Sequence, residues 1–258
     1  MSRFIRLEQD GPLTIVTLAR PAALNVLNAA AQAELARAFD AFEADPDQCV
    51  AIITGDGDRA FCAGHDLKQQ ASGADPAIPP SGFGGLTRRF DRVKPIIAAV
   101  NGVALGGAFE MALACDLIIA SENASFALPE PRVGLAALSG GTQRLIYEIG
   151  PKRAMSILLT GRRIGAAEGL RLGFVNEVVP QGEVLAAAKR WAAQMLECST
   201  LSLRATKQVA GHPLAYDIRG SMNIVWDLPA VRAMVASEDM AEGPRAFLER
   251  RKPTWKGR

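Results

Sequence analysis

Alternating and periodic apolar positions predict strands and helices along the first half of the chain. FIRLEQDGPLTIVTLAR alternates apolar and polar residues around the Asp-Gly-Pro turn at 10–12, which predicts a β-hairpin. NVLNAAAQAELARAFDAFEADP then repeats its apolar positions with helical spacing as far as Pro46. CVAIITG and KPIIAAVNG are short continuous apolar runs that end at glycine, as buried strands do. FCAGHDLKQQ passes from strand to helix, and residues 72–85 have the composition of a loop.

The second half changes from mixed elements to helices alone. DLIIASENASFALPE predicts a strand, a polar turn and another strand, and two helices, a short helix and a strand follow as far as residue 180. From Gln181 onward the pattern is helical, with breaks predicted at Pro213, Pro229 and Pro244. This order predicts an α/β core over residues 1–195 and a helical C-terminal region over residues 196–258.

Composition and charge narrow the classes of protein. The 258 residues are 49% hydrophobic and 22% charged, with a net charge of +2, which is typical of a globular protein and gives no reason to expect nucleic-acid binding. No apolar run is long enough to span a membrane, and the N-terminus lacks the apolar segment of a signal peptide. With scattered cysteines and two histidines, we expect no metal site and a reducing, cytoplasmic setting.

Glycines mark three junctions between strand and helix. They lie in FCAGHDL (61–67), VALGGAFE (103–110) and LSGGTQRL (138–145). A glycine there allows a sharp turn and leaves amide N–H groups uncovered, and the first amides of a helix carry a partial positive charge. Two such amides that converge would stabilise negative charge on a carbonyl oxygen. For any single junction, spacing alone favours the simpler interpretation of a tight turn.

Two glutamates stand out in these surroundings. Glu110 follows Gly107 by three residues, in a helix whose neighbouring positions are apolar. A buried, unpaired carboxylate is costly, so a catalytic role is favoured over a structural one. Glu130 lies between Pro129 and Pro131, which restrict the local chain. Taken alone, Glu130 is better interpreted as a surface partner of Arg132.

Taken together, these motifs resemble the crotonase family, the enoyl-CoA hydratase/isomerase superfamily. The resemblance rests on RPAALNVLNAA, AFCAGHDLK, KPIIAAVNGVALGGAFEMALACDLIIAS, FALPEPRVGL, GGTQRL, LTGRRIGAAEGLRLGFVNEVV and EGPRAFLERRKPTW, which follow the family order along nearly the whole chain. It implies a crotonase-type ββα spiral core and a helical C-terminal trimerisation region. It also implies an acyl-CoA thioester substrate, with coenzyme A as part of that substrate and no separate cofactor.

The resemblance also implies roles for individual residues. The backbone amides of His65 and Gly107 would form the oxyanion hole, while Glu110 and Glu130 would bind and activate water as the acid/base pair. Having both glutamates favours reversible syn addition of water to a trans-2-enoyl-CoA, which gives a 3-hydroxyacyl-CoA. His65 replaces a small residue common in the family, and its imidazole would line the acyl pocket or face water.

Coenzyme A would contact the backbone around Ala23 and Leu24, with Lys68 and Arg250 near its phosphates. A solvated basic end is an equally good interpretation of the C-terminal charges. The alternatives to a hydratase are an enoyl-CoA isomerase, a specialised acyl-CoA dehydratase such as the carnitinyl-CoA type, and a non-catalytic homologue that binds acyl-CoA or RNA. The intact glutamate pair and the near-neutral charge argue against the last of these. A homotrimer or a dimer of trimers is the expected assembly.

Overall fold

The computed structural model describes residues 4–66, 77–211 and 224–258. Its contacts divide the chain into two compact units. The first contains Met1–Phe90 and Ile96–Arg190, and the second contains Asp91–Pro95 and Trp191–Arg258. The predicted division into residues 1–195 and 196–258 stays a prediction.

The larger sheet of the first unit has six strands in the order β1-β2-β3-β5-β7-β10. Strands β1 and β2 form the predicted antiparallel hairpin, and the remaining neighbours pair in parallel. The strand bounds are Ile5–Asp10, Leu13–Leu18, Val50–Gly55, Ile96–Val100, Leu117–Ser121 and Glu177–Val179. Every residue of β3 and β5 is buried, which explains why these strands have continuous apolar runs rather than alternation.

A smaller sheet of four strands, in the order β4-β6-β8-β9, completes the first unit's β structure. Its strands are Ala60–Cys62, Val103–Leu105, Ser125–Ala127 and Ile164–Gly165. Three strands of the larger sheet, β3, β5 and β7, are each followed within a few residues by a strand of the smaller sheet. This repeated step between sheets is the predicted ββα pattern, which the sequence shows only as adjacent apolar runs.

Small residues and asparagine form the corners between the two sheets. A Cβ at Gly55 would collide with the carbonyl of Ala60, and one at Gly102 with the carbonyl of Arg59. Asn101 accepts a hydrogen bond from Gly55 N (3.1 Å) and donates to Gly55 O (2.9 Å). These side-chain bonds satisfy backbone groups that the strands leave free where they end.

The helices of the first unit pack around a shared apolar core. They are α1 Ala29–Ala44, α2 Gly107–Leu113, α3 Gly141–Ile149, α4 Pro151–Leu158 and α5 Ala166–Leu172, and α6 Val184–Leu196 leads into the second unit. Three buried aromatic rings, Phe109, Phe126 and Phe174, contact one another in tilted and edge-to-face arrangements, with centroids 5.1–5.2 Å apart. They anchor the buried side of α2, which is the short helix that carries Glu110.

Helix α1 ends before Pro46 as the sequence predicts but begins at Ala29, so Leu27, at the start of the predicted segment, lies outside it in a bridge with His65. Asn28 caps its first turn by accepting a hydrogen bond from Ala31 N at 2.9 Å. Leu35, Phe39 and Phe42 are buried on one face, as the helical spacing requires. The same face carries the fully buried Gln32, whose Oε1 accepts a bond from Gly84 N at 3.0 Å.

The second unit is helical, with α7 Thr200–Gly211, α8 Pro229–Val235 and α9 Glu238–Leu248. The break predicted at Pro229 is confirmed, because this proline is the first residue of α8. The break predicted at Pro244 is wrong, since Pro244 lies inside α9. That helix holds the C-terminal segment through Asp239, which is 4% exposed and accepts bonds from Ser199 Oγ and Lys256 N. These tertiary bonds stabilise a helix that a proline weakens locally.

Two further expectations concern the helical region. Pro213, where a break is also predicted, lies outside the described residues. Among the helices that the structure describes, none combines the length and the apolar character needed to cross a bilayer.

Candidate active site

The double glycine Gly106–Gly107 joins strand β6 to helix α2. Gly106 has φ 56°, a left-handed conformation that favours glycine, and its N–H donates to Ala127 O at 2.9 Å. Gly107 is the first residue of α2, so its N–H has no partner within the helix. No acceptor for it occurs among the described residues. The turn therefore leaves one polarised amide available.

The segment that contains His65 lies directly against this turn. Gly64 is in the left-handed region at φ 94°, and a Cβ there would stand 2.7 Å from Leu105 O and 4.0 Å from Gly107 N. On its other side, Leu27 N donates to Gly64 O and Leu27 O accepts from Asp66 N. In such a parallel bridge the intervening His65 N–H points away from Leu27. The structure thus brings the His65 and Gly107 segments together.

The imidazole of His65 is partly buried. Its Nε2 is inaccessible and has no hydrogen-bond partner in the part of the chain that the structure describes. Burial lowers the pKa of His65, and the nearby charge of Asp66 opposes this effect. A neutral imidazole is therefore favoured near pH 7. Whether the ring lines the acyl pocket or faces water stays a prediction.

Glu110 is buried in α2, with a relative exposure of 3%. Its Oε1 accepts a hydrogen bond at 2.9 Å from the backbone N of Gly141, which is the first residue of α3. A Cβ at Gly141 would stand 2.8 Å from Glu110 Cγ, so a glycine is required for this approach. The third glycine junction of the sequence thus supplies a backbone donor to the carboxylate. Sequence spacing identified this junction but did not predict that role.

Burial raises the pKa of Glu110 to about 7. The Gly141 N–H opposes this shift because it favours the charged form, while the charge of Glu130 adds to it by repulsion. The backbone of Ser139 and the cation of Arg144 also lower the pKa. A carboxyl group whose pKa lies near neutrality can both donate and accept a proton at physiological pH.

Glu130 begins a short 3-10 turn, Glu130–Val133, and is half-buried. A Cβ at Gly106 would stand 2.9 Å from Glu130 Oε1, so this carboxylate lies against the double-glycine turn. Its Oε2 is buried without a hydrogen-bond partner in the described part of the chain, and burial raises its pKa. The surface pairing with Arg132 is wrong as an interpretation, because Arg132 Nε instead donates to Thr160 O at 2.9 Å.

Phe83 also lies at this turn, although sequence reasoning did not select it. Residues 72–85 were expected to be a loop, but Phe83–Gly85 form a buried 3-10 turn at its end. The Phe83 ring covers Gly107, because a Cβ at Gly107 would stand 2.7–2.8 Å from three of its carbons. The only sequence signal was one aromatic residue among glycines in SGFGG.

The residues expected to contact coenzyme A are spread over the chain. Ala23 ends the short 3-10 turn Pro21–Ala23, and Leu24 follows in a left-handed conformation. Leu24 O accepts a hydrogen bond from Ala63 N at 2.9 Å, so this turn adjoins the His65 segment. Lys68 lies outside the described residues. Arg250 is an exposed residue of the second unit at φ 53°.

The described residues offer little for metal-dependent or thiol-dependent chemistry. The described residues contain no group of three or more His, Cys, Asp and Glu side chains arranged to hold a metal ion. Cys62, which lies just before the His65 segment, is buried, and burial raises the pKa of its thiol to about 12. This thiol is therefore protonated near pH 7 and unsuited to nucleophilic attack.

Comparison with known proteins places this geometry in a family. The sequence model of the enoyl-CoA hydratase/isomerase family matches residues 8–258. A carnitinyl-CoA dehydratase of Salmonella typhi is 43% identical over 262 aligned positions, which cover 100% of both chains. The solved structure of an enoyl-CoA hydratase from Mycobacterium tuberculosis is 37% identical, with a TM-score of 0.93 and 99% of each chain covered. A carnitinyl-CoA hydratase from Mycobacterium avium is 39% identical, with a TM-score of 0.79 and 99% of each chain covered.

The chain belongs to the enoyl-CoA hydratase/isomerase family. It is an enzyme of the hydro-lyase kind, and the predicted family, fold class and general function are confirmed. An acyl-CoA thioester is the substrate class that the family implies. The roles assigned to single residues stay predictions.

The raised pKa of Glu110 makes the stability of the protein depend on pH. The folded-state pKa of about 7 exceeds the reference value of 4.5, so the folded state retains a proton that the unfolded state has released. This contribution to stability is complete below the unfolded pKa and is lost as the pH rises through the folded pKa. We expect Glu110→Gln to be more stable than the wild type by about 3 kcal/mol at about pH 8.5 and by much less at about pH 5.

Urea denaturation at these two pH values measures the effect. Glu122→Gln is the matched control, because Glu122 is an exposed glutamate, and its stability should follow that of the wild type. An equal stability difference between Glu110→Gln and the wild type at both pH values would show that Glu110 has no raised pKa.

Proposed function

We propose that this enzyme catalyses the reversible syn addition of water to a trans-2-enoyl-CoA thioester, giving a 3-hydroxyacyl-CoA. The observation that carries the proposal is that Glu130 Oε1 lies against the Gly106–Gly107 turn, while Glu110 is buried in the helix that begins at this turn and accepts a hydrogen bond from Gly141 N. Both carboxyl groups have raised pKa values, and the turn between β6 and α2 presents the amide of Gly107, which can polarise a carbonyl group.

The thioester oxygen accepts hydrogen bonds from the amides of His65 and Gly107. These donors stabilise the negative charge that develops on the oxygen and make the β-carbon electrophilic. Glu110 and Glu130 hold one water between them. One carboxylate takes a proton from the water as its oxygen attacks the β-carbon, and the other glutamate, which enters the reaction protonated, gives its proton to the α-carbon on the same face. Transfer of a proton from the first glutamate to the second then restores the starting state. Dehydration is the reverse sequence.

The binding of coenzyme A is part of the same proposal. The backbone at Ala23 and Leu24 contacts the adenine, and Lys68 and Arg250 approach the phosphates. The Leu24–Ala63 hydrogen bond supports this, because it holds the adenine-binding turn next to the segment that carries the His65 amide. No separate cofactor takes part, since coenzyme A arrives with the substrate.

The assembly and the compartment are further parts of the proposal. We expect a homotrimer or a dimer of trimers, which the exposed apolar residues Phe247 and Leu248 of α9 support because such surface is usually covered. We expect the reaction to take place in the cytoplasm. No disulfide links the four cysteines, all of which lie in the described part of the chain, as is usual in a reducing compartment.

The glutamate pair is tested by Glu110→Gln and Glu130→Gln. Each variant keeps the shape of the side chain but removes its acid/base function, so we expect turnover to fall by about 10²–10⁴-fold while acyl-CoA binding persists. The measurement is the loss of ultraviolet absorbance of the conjugated thioester of crotonyl-CoA. Glu122→Gln is the control and should keep wild-type turnover. Near-wild-type hydration by either active-site variant would disprove the role of that residue.

The amide of Gly107 is tested by removing its hydrogen. Proline is tolerated at the first position of a helix, but its Cβ would strike the ring of Phe83. The comparison is therefore made in a Phe83→Ala background, between Gly107→Pro and Gly107→Ala. Both add a Cβ and only proline removes the N–H, so we expect kcat to be about 10²–10³-fold lower for proline. Equal kcat values in the two folded variants would exclude this amide from the oxyanion hole.

A second candidate is the same reaction on an acyl chain that carries a trimethylammonium group. The relative named carnitinyl-CoA dehydratase, identical at 43% of positions over its full length, favours it. Such a cation needs an aromatic or anionic partner to replace its water. Leu128 and Met111, which pack around the described turns, offer neither kind of partner, and this favours an uncharged acyl group, while the ring of Phe83 would favour the cation.

A competition assay distinguishes between the uncharged and the trimethylammonium-bearing acyl-CoA as the preferred substrate. We expect a higher kcat/KM for crotonyl-CoA than for its derivative with a trimethylammonium group on C4, because the apolar surroundings do not compensate for the lost hydration of the cation. The two rates are measured in one mixture by chromatography of the products. The reverse preference would establish the second candidate.

A further inference from the structure

Arg144 lies in the first turn of α3 and links two loop segments through their backbone carbonyls. Its Nη2 donates to Thr87 O at 2.8 Å, and its Nη1 donates to Ser139 O at 3.5 Å. A Cβ at Gly140 would collide with Nη1, so a glycine at this position leaves room for the guanidinium group. The planar guanidinium can direct separate donors at two acceptors, which a lysine ammonium cannot do with the same geometry.

One of the linked segments positions Glu110. Ser139 and Gly140 precede Gly141, whose N–H donates to Glu110 Oε1 at 2.9 Å. The donor is a backbone N–H, and Gly141 has no side chain that could be held by its neighbours. The position of this N–H is therefore determined by the backbone path of the turn. By holding Ser139 O, Arg144 holds the turn that delivers the N–H to the carboxylate.

The other linked segment positions Phe83. Thr87, which is 1% exposed, accepts a hydrogen bond from Phe83 N at its Oγ1 (2.9 Å). The Phe83 ring in turn covers Gly107, the residue whose amide we assign to the oxyanion hole. Arg144 therefore bonds to the backbone of Thr87, and the Thr87 side chain in turn bonds to the backbone of Phe83, whose ring lies beside Gly107.

We propose that Arg144 is a positioning residue that couples the turn beside Glu110 to the segment beside Gly107, so that the acid/base group and the oxyanion amide keep a fixed relative geometry. The proposal rests on the function proposed above. It adds a residue that touches neither the substrate nor the reacting atoms in that mechanism, and that acts through two hydrogen-bonded backbone segments.

The charges around Glu110 agree with this arrangement. Glu130 on the 3-10 turn raises the pKa of Glu110, and Arg144 on α3 lowers it. Arg144 also lies over the ring of Phe90, with its guanidinium carbon 5.9 Å from the centroid, which limits the directions in which the side chain can move. The cation is thus held near Glu110 as well as bonded to both segments.

The test compares Arg144→Met, Arg144→Lys and Arg153→Met. Arg153 is an exposed arginine of α4 and serves as the control. Hydrogen exchange followed by mass spectrometry reports on residues 82–89 and 137–145. Carbon-13 NMR of labelled glutamate carboxyl groups reports the pKa of Glu110, whose signal is assigned by its loss in Glu110→Gln. Steady-state kinetics with crotonyl-CoA gives kcat and KM.

For Arg144→Met we expect faster exchange in both segments and an upward shift of the pKa of Glu110. We also expect kcat to fall by about 10- to 10²-fold with little change in KM, because a small displacement of catalytic groups affects the reaction more than binding. Arg144→Lys keeps the charge but not the paired donors. In Arg144→Lys the pKa of Glu110 should stay near the wild-type value, while hydrogen exchange becomes faster in both segments. The kcat of this variant should lie between those of the wild type and Arg144→Met.

Faster exchange in only one segment, or in neither, would overturn the proposal, as would a pKa of Glu110 that Arg144→Met leaves unchanged. If Arg144→Met does not fold, the exchange of Arg144→Lys decides in the same way. Exchange and NMR do not require turnover. A wild type that hydrates no enoyl-CoA would therefore disprove the proposed function, while these two measurements would still decide whether Arg144 positions both segments.

Discussion

The hydrogen bond from Gly141 N to Glu110 Oε1 is the interaction on which the site depends. An ionised carboxylate in an apolar interior is costly unless donors surround it, and Glu110 is almost completely buried. The donor must come close, and a side chain at position 141 would stand in its way. The burial of Glu110 therefore requires both a glycine at the start of α3 and a turn that places this glycine against α2. The burial of Glu110 is also the main cause of its raised pKa, which suits this residue to proton transfer.

The alternation between two sheets brings these turns together. Each passage from the larger sheet to the smaller one leads into a strand of the smaller sheet, and these strands lie side by side. The segments that follow them therefore begin close together. Strand β4 leads to the His65 segment, β6 to the double glycine, and β8 to Glu130. Parallel pairing of β4, β6 and β8 places these three endings at one edge of the sheet, so the site is a consequence of topology.

Local patterns were sufficient for most elements and for part of the site. The hairpin, the buried strands and helix α1 follow from alternation, continuous apolar runs and helical spacing, which are properties of neighbouring residues. Glu110 was identifiable because a single carboxylate interrupts an apolar helix. Pro244 was misleading, because long-range bonds to Asp239 and Glu242 support the helix around it. Phe83 and Arg144 were not identifiable, since the Phe83 ring lies against Gly107 and Arg144 Nη2 donates to Thr87 O, and both of these contacts are distant in sequence.

The sequence by itself determined the order of strands and helices, the three glycine junctions and, through its ordered motifs, the family. These features depend on spacing and on residue type, and both can be read along the chain. Only the tertiary structure decided that Glu130 faces the double glycine rather than Arg132, and that the third junction supplies a hydrogen bond to Glu110. The physical reason is that burial and hydrogen-bond partners arise where separate segments meet, and no local pattern specifies which carbonyl or carboxylate a backbone amide will reach.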